Sequence, residues 1–356
     1  MAAASEQQEV SFLFSFAVHS PRPTEHCLRR MITLDVSHTT TYRYANPVKF
    51  LEHRLISRPR SSHELSLLET GLVITPPAQL RWQHDVFGNS VLRLSFDEMS
   101  DTLSVESRFR AEHYPGDPQQ LLLDDYAVTL PFEYGETDAL DLAPYLRCHY
   151  DDPNRFVADW MQGFIDANGG VTLDVLNAMV QTVQREFGYQ RRDEHGTWAP
   201  TTTLANRAGA CRDFALLMME ALRSVGVAAR FVSGYLYDEA ALDNNNGVLL
   251  GGGETHAWCE VYLPGAGWVA YDATNALVAG RNLIPVAFAR DPVQVSPLSG
   301  GFEGLTGDFL GMEVSVTITR VLPNDEAAMP TPVSHEVPLP LADAPQPSPA
   351  SIGALA

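Results

Sequence analysis

The sequence predicts an α+β protein: an N-terminal antiparallel β-sandwich or barrel, then helices packed on an antiparallel sheet. Three observations carry this. Strand-like alternation of apolar and polar residues runs from Ile32 to about Tyr114. Helical spacing of apolar residues then occupies the stretch from Pro153 to Gly226, and strand-like alternation returns between Ala229 and Val321.

In the first half, Thr33–Ser37 and Thr40–Tyr44 are rich in β-branched and aromatic residues. Trp82–Val86 and Val91–Phe96 alternate around Phe87-Gly88-Asn89-Ser90, the pattern of a hairpin, and Leu103–Phe109 alternates again. Residues 116–150 carry acids, with Pro118, Pro131 and Pro144 between them, and read as a solvated acidic connection. Asp152 followed by Pro153 reads as an N-cap and first helical residue for a helix burying Phe156, Val157, Trp160, Met161, Phe164 and Ile165. Thr172 is expected to cap a second helix, with Leu173, Leu176, Met179, Val180, Val183 and Phe187 on its apolar face. A third begins near Cys211 and ends at Gly226. Strands follow at 229–237, 255–263, 268–273 and 314–321. The expected division is an extension at 1–30, a β domain at 31–115, the connection at 116–150, the helix-and-sheet core at 151–321, and a disordered Pro/Ala-rich tail at 322–356.

Charge and cysteine content exclude several classes. Twenty-four basic residues against 44 acidic ones give a net charge of −20, which disfavours binding to nucleic acid or to an anionic membrane. No apolar run approaches the ~20 residues of a membrane span. The apolar stretch Ser11–Val18 follows Glu6 and Glu9 rather than basic residues and lacks a clear cleavage site, which argues against a signal peptide. Cys27, Cys148, Cys211 and Cys259 form no CxxC and read as free thiols in a reducing, cytoplasmic setting. No metal or organic cofactor is expected.

Cys211 is the most informative position. In Arg207-Ala208-Gly209-Ala210-Cys211-Arg212-Asp213, a glycine-containing loop feeds directly into an amphipathic helix. A cysteine in the first helical turn faces unpaired N–H groups and the positive end of the helix dipole, which favour the thiolate nucleophile. On the strand Thr255–Leu263, His256, Trp258, Glu260 and Tyr262 share one face, while Ala257, Cys259, Val261 and Leu263 share the other. His256 and Cys259 therefore point apart, which disfavours a metal site and leaves Cys259 to the core. The Gly-rich stretch 244–253 before this strand fits no phosphate loop and reads as a lid or hairpin tip. Asp272 lies on the next strand, where a carboxylate could orient His256. The turn decides this. A four-residue loop pairs Leu263 with Trp268 and sends Asp272 to the opposite face. A three-residue turn pairs Leu263 with Gly267 and leaves Asp272 diagonal to His256 on one face, at a bridgeable ~7–8 Å between backbones.

The runs Gly209-Ala210-Cys211-Arg212-Asp213-Phe214-Ala215, His256-Ala257-Trp258-Cys259-Glu260-Val261-Tyr262 and Gly267-Trp268-Val269-Ala270-Tyr271-Asp272-Ala273-Thr274-Asn275 resemble the core motifs of bacterial transglutaminase-like proteins. Tyr42–Val48, Arg58-Pro59-Arg60 and Asp85–Asn89 resemble the β domain that precedes that core. Ala210, Thr255 and Leu216 depart from the family's usual residues without touching the three motif centres. The resemblance implies a papain-like, transglutaminase-like core at 151–321, with Cys211 as nucleophile, His256 as general base and acid, and Asp272 as orienter. Tyr189 is an oxyanion candidate, and Trp198 and Trp258 are candidates for the substrate groove. The expected function is thiol-dependent acyl transfer from an amide through a thioester, by a cysteine peptidase or amidase acting on a peptide or protein. One alternative is a transglutaminase passing a glutamine acyl group to an amine. The other is a non-catalytic peptide-binding module.

Overall fold

The computed structural model describes residues 31–114, 121–192, 196–238, 242, 248–250, 255–280, 282–305 and 307–321. The extension at 1–30, the tail beyond Val321, Cys27 and most of the Gly-rich stretch at 244–253 lie outside these residues. In chain order the strands of the first half are β1 (Ile32–Phe50), β2 (His53–Arg58), β3 (Leu65–Thr75), β4 (Gln79–His84), β5 (Ser90–Ser95) and β6 (Met99–His113). Then come α1 (Glu136–Leu146), α2 (Phe156–Ala167), α3 (Thr172–Glu186), β7 (Gly188–Tyr189), α4 (Pro200–Asn206), β8 (Ala208–Gly209) and α5 (Cys211–Arg223). The remainder is β9 (Ala229–Leu236), β10 (Val248–Leu250), β11 (His256–Leu263), β12 (Gly267–Asp272), β13 (Leu277–Val278), β14 (Leu283–Ala289), β15 (Leu298–Ser299), β16 (Phe302–Glu303) and β17 (Phe309–Arg320).

The architecture is α+β with antiparallel sheets. One N-terminal sheet runs β10-β17-β1-β6-β3, and a second runs β15-β2-β5-β4. Their inner faces meet across Tyr44, Val48, Phe50, Leu55, Leu92, Leu94, Leu103 and Val105, a sandwich rather than a closed barrel. The two short strands expected at 33–37 and 40–44 are one long strand, β1, bulged between Arg43 and Val48 where it pairs with β6.

The second unit is a sheet in the order β13-β12-β11-β9-β14, with α5 packed on β9 and β11. Its core joins Met161 and Ile165 of α2, Leu176 and Met179 of α3, Phe214, Leu217 and Met218 of α5, and Cys259 and Val261 of β11. Tertiary context overrides two expected caps. The Asp152 carboxylate does accept the N–H groups of Phe156, Val157 and Ala158, but Pro153 lies outside the helix because a turn with Arg155 at φ 58° precedes α2. Thr172 begins α3 fully buried, and its hydroxyl donates to the Ala127 carbonyl instead of capping.

Three larger departures concern long-range packing. Residues 121–150 are largely exposed, but Ala127, Leu130, Phe132 and Leu142 are buried and tie the stretch to the core. Leu130 and Phe132 are buried with α2, and the Tyr134 hydroxyl donates to the Tyr262 carbonyl while accepting the Ala228 N–H. The acids of that stretch include Glu136 and Asp138 in the first turn of α1, where they complement the helix dipole. The strand expected at 314–321 to close the core is β17, which pairs with β1 and so completes the N-terminal sheet. The short α4 and the strand β14 carried no separate signal. Two units result, joined by a buried seam of Ile32, Leu34, Val36, Phe109, Tyr235, Tyr237, Ile284, Val286 and Ile318. Buried His38 and His113 bond across it to the hydroxyls of Tyr235 and Tyr237, at 3.0 and 2.9 Å.

Candidate active site

The loop into α5 is set by its side chains. A Cβ on Gly209 would stand 2.9 Å from the Cβ of Asp213 and 3.3 Å from the Phe214 ring, so a larger residue would push the loop off the helix. Ala210 is the extended cap residue, and Cys211 is the first residue of α5. N–H groups at such a terminus have no carbonyl one turn behind them and point toward an incoming ligand. Cys211 is a free, half-buried thiol at that end.

The hairpin register puts the other two residues in place. β11 and β12 pair Leu263 with Gly267 and Cys259 with Tyr271, the register of a three-residue turn. Asp272 therefore shares a face with His256, displaced diagonally. His256 Nε2 lies 2.8 Å from Asp272 Oδ2. The carboxylate is wholly buried and the imidazole nearly so. Asp272 also accepts the Thr274 N–H on Oδ1 at 2.9 Å and the Asn275 Nδ2 on Oδ2 at 2.8 Å. The Cys211 thiol also lies close enough to the imidazole to raise its pKa. With Nε2 committed to Asp272, Nδ1 is the nitrogen left for the sulfur. Cys211, His256 and Asp272 thus form one continuous chain of polar contacts.

The electrostatics follow from that chain. Burial alone would lower the His256 pKa, but the charge and hydrogen bond of Asp272, together with Cys211, outweigh it and raise it from 6.5 to about 10. Burial likewise works to raise the Asp272 carboxyl. The charge of His256, its hydrogen bond, and those from Asn275 and Thr274 hold it below its usual range instead. The imidazolium, paired to a carboxylate behind it, is the preferred form at neutral pH. Such a cation beside a thiol stabilises the thiolate.

The remaining candidates separate. Tyr189 is half-exposed in β7, whose two residues run parallel to Ala208–Gly209, so its backbone abuts the loop leading to Cys211. Trp198 is anchored at the start of α5, where its backbone N–H donates to Asp213 Oδ1 at 2.7 Å. Trp258, expected in the groove, is only 1% exposed, stacked on His256 with ring centroids 6.1 Å apart. Gly234 makes room for its ring, since a Cβ there would approach the indole to 2.7 Å. It underlies the imidazole and lines no open surface. Cys259 is fully buried core. Asp213 is wholly buried and accepts the Ala210 N–H at 2.9 Å. Asn275 and Arg192 carried no sequence signal as site residues. The Asx-turn chemistry of Asp-Ala-Thr was the one available clue to the first. Among the described residues no group of three or more His, Cys, Asp or Glu side chains is placed to hold a metal ion. None of their helices is long and apolar enough to cross a membrane.

Comparison with known proteins identifies the family. Residues 34–112 match the model of the bacterial transglutaminase-like N-terminal region, and residues 162–273 match that of the transglutaminase-like superfamily. An uncharacterized protein of Mycobacterium tuberculosis is 27% identical over 275 residues, covering 74% of this chain and 86% of its own. An uncharacterized protein of Mycobacterium leprae is 36% identical over 109 residues, 31% of this chain and 37% of its own. Among solved structures, a candidate cysteine protease from Cytophaga hutchinsonii superposes with a TM-score of 0.58 at 19% identity, over 82% of this chain and 98% of that one.

Proposed function

From a chain that belongs to the transglutaminase-like superfamily, and carries the bacterial N-terminal region ahead of its core, we propose a thiol-dependent amide acyl-transfer enzyme. The observation that carries this is His256, held between Asp272 at 2.8 Å and the thiol of Cys211. In the proposed reaction the Cys211 thiolate attacks the carbonyl carbon of a peptide or side-chain amide, and its electron pair forms the C–S bond. The carbonyl oxygen becomes an oxyanion facing the N-terminus of α5, where the backbone N–H of Cys211 is a donor and the Tyr189 hydroxyl a candidate second one. One well-placed donor contributes ~2.7–4 kcal/mol to such a transition state. As the tetrahedral intermediate collapses, the C–N bond breaks and His256 gives its proton to the departing amine, leaving a thioester. His256 then takes a proton from water as it attacks the thioester, the C–S bond breaks to release the acid, and the Cys211 thiolate is left paired with the His256 imidazolium.

Asp272 fixes which imidazole nitrogen faces Cys211 and stabilises the cation, without itself accepting the proton. Water is the acceptor in this reading, making the protein a peptidase or amidase. Hydrolysis needs only a water within reach of the base, whereas transfer needs a site that holds an amine and keeps water out. A cytoplasmic, reducing setting belongs to the same proposal, supported by the free thiols of Cys148, Cys211 and Cys259.

The test is incubation with a glutamine-containing peptide, with and without a primary amine, followed by mass spectrometry. Released acid or ammonia without amine incorporation is the expected result. Incorporation exceeding hydrolysis would make the protein a transglutaminase instead. If neither occurs, and iodoacetamide labels folded Cys211 no faster than the urea-unfolded chain, the protein is a binding module.

A further inference from the structure

The acyl-transfer reading uses Cys211 but leaves unexplained a buried ion pair two residues away. Asp213 is 0% exposed, and the Arg192 side chain, 21 positions earlier, only 4%. The Arg192 Nε lies 3.1 Å from Asp213 Oδ2. The same carboxylate accepts the Ala210 N–H on Oδ2 at 2.9 Å and the Trp198 backbone N–H on Oδ1 at 2.7 Å. Arg192 lies over the Trp198 indole, 4.4 Å from its centroid, and donates to the Gly196 carbonyl at 3.1 Å. From the other side of the helix terminus, Arg212 donates to that carbonyl at 2.8 Å and to the Arg192 carbonyl at 2.9 Å.

The two residues that follow Cys211 therefore hold Arg192, Gly196 and Trp198 against the start of α5. Burying a carboxylate and a guanidinium is costly, and an apolar pair would hold a fold at least as well. Beyond its charge beside Asp213, the guanidinium donates to the Gly196 carbonyl and covers the Trp198 indole, contacts that fix geometry an apolar side chain cannot. Gly209 agrees with this, because its missing Cβ is what lets the loop lie against Asp213.

We propose that Asp213 and Arg192 act as a positioning pair for the nucleophile. Asp213 fixes the Ala210 N–H, and with it the backbone that presents Cys211. Arg192 fixes Trp198 as the wall beside the same helix terminus. Neither residue touches the reacting atoms; both act through the placement of Cys211 and Trp198. The inference rests on the acyl-transfer reading, since a fixed nucleophile matters only if Cys211 is one.

The experiment measures the rate of iodoacetamide alkylation of Cys211 against pH, by mass spectrometry of its peptide. The full-length chain is compared with Asp213→Asn, Arg192→Met, the double variant and His256→Ala, each well below its melting temperature. Loss of positioning lowers the rate in each single variant by roughly tenfold or more, as misplacement by a fraction of an ångström does. The double variant is then no slower than the slower single, because the two residues act as one unit. Three results would overturn the pair: unchanged rates in both singles, losses that multiply in the double, or a faster Asp213→Asn with its profile moved to lower pH. The last would mean that Asp213 acts only as a negative charge near the sulfur. Should Asp213→Asn not fold, Arg192→Met alone decides, by a fall in rate or by none. His256→Ala separates the levels: a slow variant there with normal Asp213→Asn and Arg192→Met rates sinks the pair and leaves the enzyme reading intact. Wild-type Cys211 reacting no faster than in urea sinks the enzyme reading itself.

Discussion

Asp272→Asn removes one charge from the centre of the site while keeping the side chain's size, and its effect can be worked from the buried pair. His256 rises from 6.5 to about 10, with Asp272 as the largest influence raising it. At ~1.4 kcal/mol per tenfold in ionisation, that span is ~5 kcal/mol of preference for the imidazolium. Removing one partner of a buried pair costs ~3–5 kcal/mol. The pH dependence follows from the two directions. Asp272 titrates below its ordinary 3.8 when folded, so its share of stability is present above 3.8 and lost as pH falls through the lower folded value. The share from His256 is full below 6.5 and lost as pH rises through about 10. The pair contributes fully between about pH 4 and 6.5. Urea unfolding of wild type and Asp272→Asn at pH 5.5 should differ by ~3–5 kcal/mol, and by less than half of that at pH 10.5. In the iodoacetamide profile of Cys211, the limb that reports loss of the imidazolium should move well down from near pH 10, because burial then acts on the imidazole with no carboxylate opposing it. An equal stability difference at both pH values, or an unmoved limb, would refute the coupling of His256 to Asp272.

Two further expectations concern the seam between the units. His38 and His113 are buried and held neutral, their pKa values lowered from 6.5 to about 4 by burial. The unfolded chain therefore takes up protons that the folded chain does not as pH falls from 6.5 to 4. Over that interval stability should drop by about 3 kcal/mol for each histidine, seen in urea titrations as a slope that His113→Gln reduces by about half. Asn89, wholly buried in the β4–β5 turn, donates to the Phe288 carbonyl at 2.8 Å and accepts the Phe288 N–H at 2.9 Å on β14. Asn89→Ala orphans both groups and should cost about 2–4 kcal/mol by urea unfolding, with the Cys211 alkylation rate of the folded protein unchanged.

Much of the site was legible because periodicity reports faces. Alternation along Thr255–Leu263 separates His256 from Cys259, and the apolar stripe after Cys211 marks a helix whose first turn holds the thiol. The Phe87–Ser90 turn and the alternation around it locate β4 and β5 in the same way. Local chemistry was enough for these, since each depends on residues within one or two turns of chain.

What tertiary structure decided has no such local record. Whether Asp272 meets His256 rests on a single residue of turn length, because one step of register sends a side chain to the opposite face. β17 pairs with β1, nearly three hundred positions away, and alternation in 314–321 says which face is apolar but not which sheet it joins. The burial of Leu130 and Phe132 amid acids, and the pairing of Arg192 with Asp213, depend on surfaces assembled from distant segments. The amino-acid sequence by itself determined most of the elements, their faces and the three residues proposed for the chemistry. Their meeting was settled by pairing between strands, where energy depends on the complementarity of whole edges and faces rather than on any short stretch of chain.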